Sequence, residues 1–277
     1  MILLIWLCLI ISVCEGFRLI SSLRDQMISR NMNAVNIEWG SGQSQLDLMN
    51  CDECIAVDFD DQIIGSTSKY LAHKFDSTNE KGVLHRAFSV FLFNSKNELL
   101  LQQRASSKIT FPSVWTNTCC SHPLFGQNPN EVDSYQDIAS GNVVGIIAAA
   151  KRKLKHELGI DTEFLDNSMF KYLGRIHYCA TDINNDTDTK DIWGENEIDY
   201  ILFLKCDVNI QPNKDEVQNV KYVSLSQLRE MIDPSSGLKW SPWFKIIVDK
   251  LLVHWWDDLN ITMTSSKIDC DKIYRFL

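Results

Sequence analysis

The 277-residue chain is poor in features that would divide it or set it outside the globular class. It holds only six prolines, and no proline-rich linker, low-complexity tract or internal repeat interrupts it. It has no excess of positive charge: the formal net charge is -9, which excludes general attraction to nucleic acid or to an anionic membrane. A local group of Lys and Arg could still hold a small anion. It has no disulfide framework, because nine cysteines is an odd number and adjacent Cys119 and Cys120 would make a strained bridge. Cys51 and Cys54 form a lone C-x-x-C without a second pair at zinc-ribbon spacing, so the cysteines read as reduced and intracellular. No apolar run is long enough to span a bilayer, since the longest, residues 2–13, has only the length of a signal-peptide core.

What is present is a globular composition, 45% hydrophobic and 23% charged, at a length that suits one large domain. No Lys or Arg precedes residues 2–13, whereas Arg18, Arg24 and Arg30 follow among serines, as in an organellar transit sequence. Met27 and Met32 offer alternative starts. Residues 1–45 are therefore set apart as a targeting or extension segment, and residues 46–277 as the folded domain. The expected location is cytoplasmic or peroxisomal, with a mitochondrial or secretory route as the alternative.

The pattern of elements is mixed. Residues 54–58 and 63–65 around Asp60-Asp61-Gln62 predict a hairpin, and residues 87–93 and 98–104 around Asn94–Asn97 predict a stronger one. Asn142 is placed to cap a helix over 143–158, with Gly159 as its stop. Further strands are expected at 172–180, 197–205 and 221–224, a short helix after Ser224, and a long one opening at Ser241-Pro242. The class is α/β or α+β with a mixed sheet.

Thr116-Asn117-Thr118-Cys119-Cys120-Ser121-His122 and Trp193-Gly194-Glu195-Asn196-Glu197 carry the chemistry. Their polar, turn-like flanks suggest loops at the edge of a scaffold. Glu195 and Glu197 lie two residues apart, which points both carboxylates to one side of an extended segment. With His73, His85 and His122 they would satisfy a divalent ion through nitrogen and oxygen, whether magnesium, manganese or zinc. Lys69, Arg104, Lys108 and Lys153 read either as solvated surface cations or as a cradle for a diphosphate, with Glu157 holding a second magnesium ion. Lys151–Ile160 follows the end of a Nudix motif, but Arg152-Lys153 stands for Arg-Glu, one glutamate remains of two, and Val144 replaces the upstream glutamate. A hydrolytic site needs those carboxylates.

Lys81–Asn94, Leu99–Arg104, Phe111-Pro112, Thr116–Pro123, Trp193–Tyr200 and Ser241–Lys245, in this order, resemble the type I isopentenyl-diphosphate delta-isomerases of the Nudix superfamily. The resemblance runs from about residue 50 to the C-terminus. It implies a Nudix-like α/β/α sandwich and interconversion of isopentenyl and dimethylallyl diphosphate in isoprenoid and sterol biosynthesis. It implies Cys120 as the reacting thiol, Glu197 as its acid/base partner, Tyr178 beside Glu197 and Trp243 against the carbocation. His73, His85, His122, Glu195 and Glu197 would bind one divalent ion, Mg2+ or else Mn2+ or Zn2+, and Glu157 a second Mg2+. Lys69, Arg104, Lys108, Ser121 and Lys153 would bind the diphosphate. The expected partner is a small prenyl diphosphate, with no nucleic acid or stable membrane partner, and the expected state is a monomer or weak dimer. Two departures stand out: the loop from His73 to His85 is one residue longer than in animal relatives, and Tyr274–Leu277 is not a peroxisomal-type ending.

Overall fold

The computed structural model describes residues 39, 40, 42–182, 192–265 and 271–277. The apolar run 2–13 and the arginine-bearing stretch after it lie outside these residues. Helix α1 (Gln45–Cys51) leads into strands β1 (Glu53–Val57) and β2 (Ile63–Ser68), followed by α2 (Lys69–His73) and the short β3 (Lys74–Phe75). Strands β4 (His85–Phe93), β5 (Leu99–Arg104), β6 (Trp115–Thr116) and β7 (Cys119–Ser121) come next. Then come α3 (Tyr135–Ala139), α4 (Val144–Leu158), β8 (Phe170–Thr181), β9 (Ile192–Lys205) and β10 (Val217–Val223). Helices α5 (Leu225–Ile232) and α6 (Pro242–Ile247), further helical turns and β11 (Ile273–Phe276) complete the order.

The main sheet runs β10-β5-β4-β9-β8-β11 and is mixed. Strand β4 is parallel to β9 from His85↔Glu197 to Phe93↔Lys205, and β11 is parallel to β8. The nine residues of β4 are all buried, as expected of a strand covered on both faces. Its side chains alternate between two cores. Phe88, Val90 and Leu92 join Ile146, Ala150 and Leu154 of α4 on one face. Phe91 and Phe93 join Trp243, Phe244 and Ile247 of α6 on the other. This is the α/β/α sandwich the sequence implies.

Three local expectations change. The residue 87–104 segment turns at Asn94–Asn97, but β4 and β5 share only the Phe93↔Leu99 register pair. Beyond it β5 is paired with β10 and β6, and β4 with β7 and β9, so the hairpin forms but long-range pairing takes over one residue pair from its turn. Asn142 is not the cap of α4; the N-cap is Val143, without a side-chain bond. Asp133 supplies the acceptor instead, taking the Gly145 and Ile146 N–H groups at 2.7 and 2.9 Å. The last helix is broken by a π-turn at Val248–Leu252, and Tyr274–Phe276 belong to an edge strand that the residue pattern did not announce. Gly159 does end α4, at φ 61°.

Candidate active site

The reactive residues sit on strands, not on the loops their flanks suggested. Strand β7 is hydrogen-bonded to β4 with Cys120 opposite Ser89 and Cys119 opposite Val90. Successive side chains of a strand face opposite ways. Cys119 is accordingly 0% exposed in the α4-side core, while half-buried Cys120 lines a cleft of about 550 Å³, counted to its open mouth. The preceding Thr116-Asn117-Thr118 is also buried, and its polar atoms are spent internally. Thr118 Oγ1 donates to Leu100 O at 2.6 Å, and Asn117 Nδ2 donates to Val90 O and Cys119 O at 3.1 and 2.9 Å. Asn117 Oδ1 accepts the Trp243 Nε1 proton at 3.1 Å, which fixes that ring in the cleft wall. Phe111, at φ 47°, packs edge-on against Trp243 with ring centres 5.4 Å apart.

The cleft is lined by Cys120, Ser121, His122, Tyr178, Glu195, Glu197 and Trp243, with His73, Lys69, Arg104, Lys108, Lys153 and Glu157. Of the residues singled out in the sequence, His85 alone is not in this lining; it is wholly buried behind it. Gln45, Met49, Ser89, Ile109 and Thr110 complete the lining; only Ser89 stands in a quoted motif, and none of the five was given a role. Two glycines of the quoted motifs are needed by close approach. A Cβ on Gly82 would stand 2.3 Å from Ala72 O, and one on Gly194 would stand 2.4 Å from the Phe75 ring.

Glu197 is the hub. It lies opposite His85 across the β4/β9 pair and opposite Tyr178 across β8/β9. Its Oε2 accepts the Tyr178 hydroxyl proton at 2.5 Å, and its Oε1 lies 2.8 Å from His122 Nε2 and 3.5 Å from His85 Nε2. His73 Nε2 lies 2.8 Å from Glu195 Oε2. His73 Nδ1 and His85 Nδ1 are each 2.7 Å from a backbone carbonyl, of Lys69 and Val83. A carbonyl only accepts, so both rings carry their proton on Nδ1 and turn the Nε2 lone pair towards the carboxylates. Lone pairs facing carboxylates at these distances call for a cation between them. Buried His85 Nε2 and Glu195 Oε2 have no hydrogen-bond partner, and the ligand atoms of the five residues all lie within 4.8 Å of one another. Five nitrogen and oxygen donors with carbonyl-fixed imidazoles fit a divalent ion.

Burial and the neighbouring His122 and His85 hold His73 well below the ordinary imidazole range, and burial takes His122 to about 3, so the rings are neutral at physiological pH. The two carboxylates are pulled apart. Burial and the Glu197 charge push Glu195 well up, whereas at Glu197 burial is outweighed by the adjoining His122 and His85 rings, which hold it well down. Asp199, next on the same side of β9, is raised by burial and by Glu197 and accepts the Ser89 hydroxyl at 2.8 Å. It was missed in the sequence, although the two-residue period that joins Glu195 to Glu197 extends to it. Burial likewise pushes the Cys120 thiol and the Tyr178 hydroxyl up, so both keep their protons at neutral pH.

The other end of the cleft is cationic, and its charges are already engaged. Arg104 donates to Phe111 O and Thr110 O at 2.9 and 2.8 Å, with its guanidinium 5.8 Å from the Trp243 ring centre. Lys153 Nζ is 3.1 Å from Glu157 Oε1, and Gln102 Nε2 donates to Glu157 Oε2 at 3.0 Å. Lys108 Nζ is 2.6 Å from Glu216 Oε2. Glu216 stands in no motif, and only the fold brings it here.

A mixed-sheet α/β/α sandwich with a cleft of this make-up defines a NUDIX-domain protein, and the NUDIX domain family matches residues 83–244. Within that class the similarity is closer. The chain is 46% identical over 240 residues to isopentenyl-diphosphate delta-isomerase II, chloroplastic, of Arabidopsis thaliana, covering 85% of this chain and 79% of that protein. It is 44% identical over 242 residues to isopentenyl-diphosphate delta-isomerase I of Camptotheca acuminata, covering 86% and 97%. It is 48% identical over 221 residues to the isopentenyl-diphosphate delta-isomerase of Gibberella zeae, covering 80% and 81%. The chain belongs to the isopentenyl-diphosphate delta-isomerase family.

Proposed function

We propose that this chain interconverts isopentenyl and dimethylallyl diphosphate, shifting the double bond by protonation and deprotonation through a tertiary carbocation. The observation that carries the reading is one cleft in which a protonated thiol, Cys120, and a Tyr178-bound carboxylate, Glu197, accompany the Trp243 ring. An unactivated alkene is a very poor base, so its proton donor must be held tightly and away from water. A half-buried thiol that keeps its proton suits an acid, not a nucleophile. Glu197 is the opposing acid/base, and the Tyr178 hydrogen bond sets its orientation. The Trp243 face offers negative π density to the cation without a lone pair that could trap it. Arg104, Lys108, Lys153, Lys69 and Ser121 take the diphosphate.

His73, His85, His122, Glu195 and Glu197 would hold the divalent ion, magnesium or else manganese or zinc, which would neutralise the carboxylates and tune the acidity of Glu197. Glu157 would share a second magnesium ion with the diphosphate. No helix among the described residues is long and apolar enough to cross a membrane, and the six described cysteines are free. The residues ahead of Ser44, the N-cap of α1, serve as the targeting or extension segment in this reading, and Gln45 belongs to the domain.

The test is incubation of the purified protein with isopentenyl diphosphate in D2O with added Mg2+ or Mn2+. Dimethylallyl diphosphate carrying deuterium is the expected product. Release of phosphate without isomerisation would instead mark a Nudix diphosphohydrolase and overturn the reading.

A further inference from the structure

Glu216 lies immediately before β10 and is 5% exposed, behind the cleft wall formed by Lys108 and Lys153. Its backbone is pinned at both ends: Ala105 N–H donates to its carbonyl at 3.0 Å, and its own N–H donates to Asn213 O at 3.0 Å. From this fixed point the carboxylate reaches four side chains, on α1, on α4 and on the loop after β5. Oε2 is 2.6 Å from Lys108 Nζ and 4.0 Å from Lys153 Nζ. Oε1 accepts from Gln45 Nε2 at 2.8 Å and lies 4.0 Å from His156 Nδ1. A buried carboxylate tied to two lysines of the cleft, and absent from the lining itself, is placed to act on the lysines and not on a ligand.

We infer that Glu216 is a positioning residue: its carboxylate sets the Lys108 and Lys153 ammonium groups at the cleft wall so that they meet the diphosphate of the substrate already in place. The inference rests on the proposed function for its ligand and deepens it. A lysine has a long stem with many rotamers, and ordering it only when ligand binds weakens binding. Glu216 orders Lys108 during folding through the 2.6 Å contact and, with Glu157 at 3.1 Å, helps to confine Lys153 from 4.0 Å. Burial also works against the Lys108 charge, and the adjacent Glu216 carboxylate works for it. The carboxylate also repels an incoming diphosphate, so a lower KM in Glu216→Gln would show that repulsion winning over the placement of Lys108 and would overturn the inference.

The experiment compares Glu216→Gln, Glu216→Asp and wild type for isomerisation of isopentenyl diphosphate and for inhibition by inorganic pyrophosphate. In Glu216→Gln, KM and the pyrophosphate inhibition constant are expected to rise together by about tenfold or more, with kcat within about threefold. Glu216→Asp is expected between the two and carries the same measurement if the glutamine variant does not fold. In a Lys108→Met background the glutamine substitution is expected to raise KM by less than about twofold, because the 2.6 Å contact is gone and only the 4.0 Å contact with Lys153 remains. A fall in kcat with KM and pyrophosphate inhibition unchanged, or full additivity with Lys108→Met, would overturn the inference. Inactive wild type that still binds pyrophosphate more tightly than Glu216→Gln would overturn the isomerase reading and leave the lysine placement standing.

Discussion

At the histidine end of the cleft, five donor atoms crowd within 4.8 Å, and buried His85 Nε2 and Glu195 Oε2 face one another's region without a hydrogen-bond partner. At the lysine end, Lys108 and Lys153 stand 2.6 and 3.1 Å from Glu216 and Glu157. Both ends bury ionisable groups, and they meet the desolvation penalty differently. The lysine end balances charge with charge inside the protein, at the entropic and desolvation cost of folding. The histidine end is neutral imidazole against carboxylate, an arrangement that a divalent ion would complete. The first end is ready to exchange a protein carboxylate for a ligand anion. The second would gain stability from the ion that completes it.

The sharpest division between the ends concerns chemistry against binding. Cys120→Ala and Glu197→Gln are each expected to lower kcat by about 10³–10⁴-fold or more, because solvent offers no substitute for a placed acid or base. Cys119→Ala is expected to keep most activity, since that side chain lies in the α4-side core and its loss amounts to about one buried methylene, roughly 1 kcal/mol of stability. An inactive Cys119 variant beside an active Cys120 variant, in a steady-state assay, would reverse the assignment. Next in size is chelation. A divalent ion at a hundred times its dissociation constant adds about 2.7 kcal/mol to folding, on the order of 5–10 °C in Tm for a domain of this size. Scanning calorimetry with and without chelator is expected to show that shift for wild type and to lose it in His73→Gln. An equal shift in both proteins would move the ion elsewhere.

Why one end was legible in the sequence and the other only partly follows from the same contrast. The histidine end is built from periodicity. Glu195 and Glu197 share a face because strands repeat every two residues, and the same rule separates Cys119 from Cys120. The lysine end depends on partners far apart in the chain: Lys108 and Glu216 are 108 residues from each other, and no local pattern links them. The scaffold divides similarly. Gly159 ends α4 by local backbone preference, but the cap at its start comes from Asp133, well upstream of Asn142, the residue propensity favours. Strand β4 was visible as an apolar run, whereas its partners β7 and β9 could only come from tertiary pairing. The turn at Asn94–Asn97 did give β5 as a neighbour of β4, but not how short their pairing is. Buried Asp61 shows the same limit: Arg86 Nε and Arg175 Nη1 each donate to it at 2.8 Å, and what reads as a surface turn is a junction of the fold.

A smaller effect probes the lysine end from the ligand side. Lys153→Met removes one ammonium from the cleft and leaves Glu157 and Glu216 without that partner. KM for isopentenyl diphosphate is expected to rise by about 10–30-fold, roughly 1.4–2 kcal/mol of binding, with kcat changed far less. Equal losses in kcat would place Lys153 with the chemistry and erase the division between the two ends.

The smallest expected effect is a pH dependence confined to the lysine end. Burial would raise the Glu216 carboxyl above its ordinary 4.5, but the Lys108 and Lys153 ammonium groups outweigh it and hold the group below that value. Between the two values the unfolded chain binds more protons at this group than the folded chain, so acid draws the equilibrium towards unfolding. The stabilisation is therefore complete above pH 4.5 and is lost as pH falls from there towards the lowered folded value. Glu216→Gln has no carboxyl to titrate. The Tm advantage of wild type over this variant is expected to stay level from about pH 8 to about pH 5.5 and to shrink below about pH 4.5. A difference that stays constant into acid would mean that Lys108 gains nothing from the Glu216 charge, and the internal charge balance that distinguishes this end from the histidine end would fail.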